Sequence, residues 1–307
     1  LKLSHIYNQV EYLAIAKIIA YSDVFEYPLL LEEISERSTG YSIDQVKSIL
    51  DELLARQLVF KFDDFYTLKD DSKLVARRLK GNKEAEKWLP TASKNAKKLF
   101  RFPFVRGVML SGSLSKNYMD QGCDVDYFIV TQHKRVWLAH LLLFIYRKIC
   151  FRNHPQLLCM NYFVDEKYLE IPFKNYYTAF ECVSVKALYG YSSYDQFVKA
   201  NQWTNEFFPF YPVENKCDKN NESVSFFKKT IEWGLSNRFG DWLDTLILKI
   251  QHKRLRKIYP ENLFLKDGQN INLLKHSIKI HAGNYFKKIT ASLEKKLLEF
   301  QQKIDAL

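Results

Sequence analysis

The chain has 307 residues, of which 47% are hydrophobic and 15% aromatic, with only 10 Gly and 8 Pro. That composition excludes a long disordered or collagen-like chain and leaves room for two or three compact units with a substantial core. The net charge of +11, from 46 basic and 35 acidic residues, favours an anionic ligand.

The first seventy residues carry three helical patterns and a hairpin. Val10 to Tyr21 places Tyr12, Leu13, Ile15, Ala16, Ile18 and Ile19 at helical spacing. Pro28 introduces a second helix, Leu29 to Arg37. Ser42 is an N-cap for a third, which runs to about Gln57 with Val46, Ile49, Leu50, Leu53 and Leu54 inward. Leu58 to Phe62, a turn at Asp63-Asp64, and Phe65 to Leu68 then read as a hairpin. Three helices and a terminal hairpin resemble a winged helix, a shape often used on DNA. The polar positions of the third helix are Asp44, Gln45, Lys47, Ser48, Asp51, Glu52 and Arg56, and the hairpin tip is acidic. A DNA reader needs Lys and Arg against phosphates, so a protein-contact or packing role is favoured over DNA binding.

Residues 71–101 form a basic connector with Arg77, Arg78, Lys94, Lys97 and Lys98 among its charges, predicted as helices separated near Gly81 and Pro90. From Phe102 to Ile171 strand-like and helix-like stretches alternate, which predicts a mixed α/β sheet. The apolar run Val136 to Phe151 contains His140, Arg147 and Lys148, so it reads as a core helix rather than a membrane span. Leu157 to Val164 is a strand, with a further short one expected over Tyr168 to Ile171. Residues 175–307 are predicted mainly helical, with pieces at Tyr176–Tyr189, Ser193–Asn201, Ser223–Leu235, Phe239–Lys257 and Asn284–Ile304. Five cysteines (Cys123, Cys150, Cys159, Cys182 and Cys217) show neither CxxC nor metal-ligand spacing. With no signal-peptide pattern, they read as reduced thiols of a cytoplasmic protein.

The chemistry concentrates in Val108 to Val130. Asp124 and Asp126 sit at i and i+2 beside the apolar Val125 and Tyr127 to Val130, a pattern that puts two carboxylates on one face of a strand. Like charges held that close repel unless a cation lies between them. Mg²⁺, or Mn²⁺, takes carboxylate and phosphate oxygens together. Upstream, Arg106 to Ser111 is a strand closed by Gly112 and Ser113. A glycine there permits close approach of a phosphate, and Ser113 offers a hydroxyl. Ser115 and Lys116 lie within a turn of Ser113, and Gly122 makes a tight return. A phosphate cradle and a carboxylate clamp on adjacent strands form a phosphoryl- or nucleotidyl-transfer constellation. Arg135, at the start of the core helix, neutralises phosphate or flanks the sheet. The cluster His276, Lys279 and His281 matches no zinc spacing.

Gly112-Ser113, the spacer, and Asp124-Val-Asp126 between apolar residues resemble the nucleotidyltransferase superfamily that includes DNA polymerase beta. Phe102 to Arg106, Arg135-x-Trp137, Asn161 to Phe163, Tyr177 to Ala179 and Asn201-x-Trp203 further resemble bacterial proteins that pair a winged-helix-like N-terminus with such a domain. The resemblance implies a winged-helix-like domain at 1–70, a connector at 71–101, a catalytic core at 102–174 and a helical region at 175–307. It implies transfer of a nucleoside monophosphate from a triphosphate to an acceptor hydroxyl, with Asp124 and Asp126 holding metal and Gly112, Ser113, Ser115 and Lys116 meeting phosphates. The sequence does not identify the acceptor: a small molecule, a protein, an RNA end or a partner toxin all remain open.

Superfamily members often carry a third carboxylate on a later strand, as general base. The matching position here is Asn161, which takes no proton. Glu170, Asp165 or Glu181 fills that role, or phosphate and water suffice, or the chain binds nucleotide without turnover. Two alternatives therefore stand beside the transferase: a nucleotide-binding regulatory protein, and a winged-helix DNA-binding protein with a vestigial transferase domain.

Overall fold

The computed structural model describes residues 2–212, 225–264, 271–280 and 285–306, with side chains from residue 9 onward. The chain divides into two compact units. One contains residues 1–81, 203–212 and 285–307; the other contains 82–202 and 213–284.

In the first unit the order is α1 (Lys2–Asp23), β1 (Leu29–Leu30), α2 (Leu31–Arg37), α3 (Ile43–Ala55), β2 (Phe60–Phe62) and β3 (Phe65–Thr67). The strands form a small antiparallel sheet in the order β1-β3-β2. Ser42 caps α3 as its spacing predicts. Its hydroxyl accepts from Gln45 N at 3.3 Å while Gln45 returns an acceptor to Ser42 N at 2.8 Å. Ile15, Ile19, Ile34, Val46, Leu50 and Leu53 close the core, joined by Phe300 and Ile304 of α11 (Tyr285–Asp305). The last helix thus completes the hydrophobic core of the first residues. Asp23 is buried in this unit and accepts from Thr67 Oγ1 at 2.9 Å and Leu68 N at 2.8 Å.

The second unit is built on a mixed six-stranded sheet in the order β7-β4-β5-β6-β9-β8. Its strands are β4 (Val105–Ser111), β5 (Asp126–Thr131), β6 (Cys159–Asp165), β7 (Lys186–Tyr189), β8 (Ile271–Leu273) and β9 (Ser277–Ile280). Only β5 and β6 run parallel; the other pairs are antiparallel. Val108, Leu110, Tyr127, Ile129, Phe163 and Ile278 share a core with Trp137 and Leu143 of α6 (Val136–Cys150), with α4 (Lys73–Phe100), and with Ile247 of α10 (Arg238–Ile258). On the other side Phe128 packs on Phe197 of α8 (Tyr191–Ala200), ring centroids 5.0 Å apart.

Several expectations are corrected. Residues 73–100 form one helix, not helices separated at Gly81 and Pro90; Pro90 lies inside it, giving up one backbone bond. Residues 175–307 are not a helical region alone. They supply β7, β8 and β9, so the sheet is not completed within 102–174. The predicted helix Tyr176–Tyr189 ends at Val183 (α7, Tyr176–Val183), and Lys186 to Tyr189 is a strand. Residues 168–171 are loop instead of strand. Strands of three or four residues carry too little periodicity to be read locally; their partners decide them. Helices appear at Phe226–Leu235 (α9) and over α10. The start of the predicted Ser223 helix, Asn284, Cys217 and His281 lie outside the described residues. Cys123, Cys150, Cys159 and Cys182 are free thiols. Among the described residues no helix is long and apolar enough to cross a membrane.

The start of α6 is held by tertiary contacts. Arg135 is buried, with Nη1 2.6 Å from Asp241 Oδ1 and Nε and Nη2 donating to the Leu235 carbonyl. Asp244 Oδ1 accepts from Trp137 N at 3.0 Å and Leu138 N at 2.8 Å, satisfying two N–H groups that the helix cannot. Asp244→Ala is expected to cost about 1–3 kcal/mol, read as a lower urea midpoint; an unchanged midpoint would contradict this capping role.

Candidate functional site

β4 and β5 pair so that Ser111 stands opposite Asp126, the first residue of β5. Gly112 follows with φ +68, a conformation costly for a side chain. A Cβ there would lie 2.2 Å from Asp126 Oδ2. The bare glycine backbone is therefore the wall against which the carboxylate rests. The short helix α5 (Gly112–Ser115) ends with Lys116, and Gly122 takes φ +84 in the return to β5.

The β5–β6 ladder explains the other wall. Asp126 pairs with Cys159 and Tyr127 with Met160, but Phe128 pairs with Tyr162, so Asn161 is an extra residue at a bulge. The bulge lets Asn161 and Tyr162 both meet side chains of one β5 face. Asn161 Nδ2 donates to Asp126 Oδ1, while Tyr162 stacks on Phe128 with centroids 4.8 Å apart. Cys159 Sγ donates to Asn161 Oδ1 at 3.0 Å, which fixes the amide orientation. The N-terminal end of β5 is further tied down by Val125 N to Gln156 O and Cys159 N to Val125 O.

Burial pushes the Asp126 carboxyl up from 3.8 to about 7, and the carboxylates of Asp124 and Glu181 push the same way. The neighbouring Cys159 thiol and the charge of Lys116 pull it back. Burial likewise raises the Cys159 thiol. Lys116 Nζ lies 2.9 and 3.0 Å from the Glu181 carboxylate oxygens and donates to the Gly112 carbonyl at 3.1 Å.

The structure distributes the expected residues unevenly. Gly112, Lys116, Asp126 and Asn161 come together, with Asp124 near enough to act on Asp126. Asp124 is exposed and precedes the strand, so the strand begins two residues later than its apolar pattern predicts. Ser113 is partly exposed on α5. Ser115 is 2% exposed and its hydroxyl donates to the Gly112 carbonyl at 2.8 Å, so it braces the turn. Arg135 belongs to the α6 anchor described above. Glu170 is exposed and pairs with Lys174 at 2.9 Å. Asp165 is buried at the far end of β6 and holds the Lys134 and Lys167 amides. Of the three acids left open by Asn161, only Glu181 is among the charges acting on Asp126. Its distance in sequence hid this; α7 carries it to the site.

Among the described residues no group of three His, Cys, Asp or Glu side chains is arranged to hold a metal. Mg²⁺ commonly takes one or two carboxylates and completes its shell with water and substrate phosphate. The hard oxygens of Asp124 and Asp126, the latter in surroundings poor in positive charge, fit that demand. No protein-family model, curated protein or solved structure matches the chain.

Gly112→Ala is expected to cost about 2 kcal/mol or more, because both φ and the Asp126 carboxylate oppose a methyl; a urea midpoint equal to wild type would refute the backing role. A carboxyl raised in the native state stabilises the fold fully below its unfolded pKa, and that contribution is lost as pH rises through the native value. In chelator, the contribution of Asp126 to wild-type stability is therefore expected to fall as pH rises from about 4 through about 7, alongside that of Asp244, whose carboxyl burial raises to about 6. Asp126→Asn should flatten that slope in urea titrations at several pH values. The same slope in both proteins would remove Asp126 as its source.

Proposed function

We propose that the protein is a metal-dependent nucleotidyltransferase, moving a nucleoside monophosphate from a triphosphate to an acceptor hydroxyl. The observation that carries this is the half-enclosed Asp126 carboxylate, backed by side-chain-free Gly112 and accompanied by Asp124 and Glu181. A buried carboxylate with acidic neighbours is unfavourable as an anion unless a cation joins it.

Asp124 and Asp126 would hold Mg²⁺ or Mn²⁺, which when bound neutralises charge on the reacting phosphates. The chain supplies the rest. Gly112 leaves room for a phosphate to approach the backbone, and the Ser113 hydroxyl is partly open beside it. Lys116 is paired with Glu181 at 2.9 Å. An incoming phosphate competes for that ammonium, and its transfer leaves Glu181 as the acid available to take the acceptor proton. Asn161 keeps the Asp126 carboxylate oriented through its amide. An aspartate at that position would add a third negative charge against Asp126, so the amide lowers the repulsion that metal must overcome.

The first unit is read as winged-helix-like: its order of helix, strand, helix, helix and two strands, with β1 beside β3, supports this. The outward residues of α3 include Asp44, Asp51 and Glu52, which favours a protein contact over DNA. The regulatory alternative keeps one specific support, the absence of a carboxylate at Asn161.

Transfer from four α-labelled triphosphates, with Mg²⁺ or Mn²⁺ and cell extract as acceptor pool, is expected to yield labelled product and pyrophosphate. Asp126→Asn and Asp124→Asn should each lower turnover by about a hundredfold or more. Triphosphate binding without product in wild type would establish the regulatory alternative. Turnover unchanged in both variants would remove the aspartates from the chemistry.

A further inference from the structure

Ile231 and Leu235 of α9 and Leu243 and Ile247 of α10 pack on the core of the second unit. A surface helix needs only that one apolar stripe. Both helices carry a second one, directed outward. On α9, Phe226 and Trp233 stand at i and i+7 and are 84% and 86% exposed. On α10, Phe239, Trp242, Leu246 and Ile250 follow at i, i+3, i+7 and i+11, and all four are exposed.

The turn that joins these helices is held rigid. Asn237 Oδ1 accepts from Gly240 N at 3.1 Å and caps α10. Gly240 lets the end of α9 pass closely, because a Cβ there would lie 1.8 Å from the Leu235 carbonyl oxygen. Arg135 Nη2 donates to the Leu235 carbonyl at 2.6 Å and the Asn237 carbonyl at 3.1 Å. The exposed rings are thus presented by a backbone already ordered, which lowers the entropic cost of a contact.

Charge is segregated in the same sense. The acids of 225–258 are Glu232, Asp241 and Asp244. Glu232 pairs with Arg106 at 2.8 Å, Asp241 pairs with Arg135 at 2.6 Å, and Asp244 takes the first amides of α6. Lys249, Lys253 and Lys257 are exposed at i, i+4 and i+8, continuing the stripe beyond Leu246, and Lys229 and Arg238 are exposed as well. The outward face therefore joins apolar surface to positive charge, while every acid is engaged by the rest of its unit.

Such a face suits a partner that is both apolar and anionic. The adjoining segment 213–224 has only Val213, Cys217 and Val224 as apolar residues, so its composition does not supply one. A second copy would bring positive charge against positive charge. Nucleic-acid bases stack on rings but find no such partner in Leu246 and Ile250. Anionic headgroups over acyl chains meet both demands, and Trp and Phe beside Lys are the side chains that such an interface takes up.

We infer that the α9–α10 ridge docks the protein on an anionic lipid surface. Trp233, Phe239 and Trp242 enter the headgroup layer, and Lys249, Lys253 and Lys257 meet lipid phosphates. The docking is independent of the transfer reaction proposed above.

Flotation of the full chain with vesicles of phosphatidylcholine alone, and of equal parts phosphatidylcholine and phosphatidylglycerol, tests this. The chain is expected to bind the mixed vesicles about tenfold or more tightly than phosphatidylcholine alone. Trp233→Ala with Trp242→Ala should weaken that binding about tenfold or more, while Phe at both positions keeps most of it. Lys249→Gln with Lys253→Gln should weaken it about tenfold and reduce its sensitivity to salt. All four side chains point outward, so urea midpoints should match wild type; if the alanine pair lowers the midpoint, the glutamine pair, which leaves the rings in place, decides. The inference is overturned by equal binding to both vesicles, by no binding to either, or by variants that bind as wild type does. Sedimentation velocity and titration with a single-stranded oligonucleotide separate the other occupants. A tryptophan-dependent dimer, or tryptophan-dependent oligonucleotide binding, without vesicle binding assigns the ridge to a second copy or to nucleic acid and overturns the lipid surface.

Discussion

A carboxylate held out of water must be compensated, and the geometry around Asp126 follows from that constraint. The residue begins a central strand whose following positions are all buried, and is itself half-buried. A side chain at the position just after β4 would collide with it; Gly112 gives it room. One oxygen takes the Asn161 amide, which is itself oriented by Cys159. The remaining charge is left in an acidic neighbourhood with Lys116 engaged elsewhere, at Glu181. This is a site short of positive charge although the chain as a whole carries an excess of it. The imbalance is local.

Buried carboxylates also serve the scaffold. Asp244 satisfies the first amides of α6, and Asp165 gathers the amides of two loops. Both accept two backbone N–H groups, which offset part of the cost of burial, although burial still lifts the Asp244 carboxyl to about 6. Asp126 differs because no backbone amide among its named partners serves it. Residue type and burial are therefore not enough to distinguish these acids; their partners do. The same comparison distinguishes Arg135, whose guanidinium is consumed by Asp241 and carbonyl oxygens, from Lys116, whose one carboxylate partner can be exchanged.

The sequence by itself determined the features that are local. The spacing of Ile15, Ile19, Val46, Leu50 and Leu53 marked helices whose inner faces are buried, and Ser42 marked where α3 begins, because helix periodicity and capping act within a few residues. The apolar run before Thr131 marked β5, and Gly112 with Asp126 marked the candidate site, since each is needed where it stands by its own stereochemistry. Tertiary structure decided what depends on distant partners. β7, β9 and β8 are strands because β4, β6 and β9 in turn offer them hydrogen bonds, not because three or four residues prefer that state. α11 completes the core of the first unit from the far end of the chain. Ser115 became a brace, Arg135 an anchor and Asn161 a bulge because their roles are set by the atoms that surround them. Glu181 came to the site for the same reason: proximity across the chain is produced by packing, which no local pattern of residues encodes.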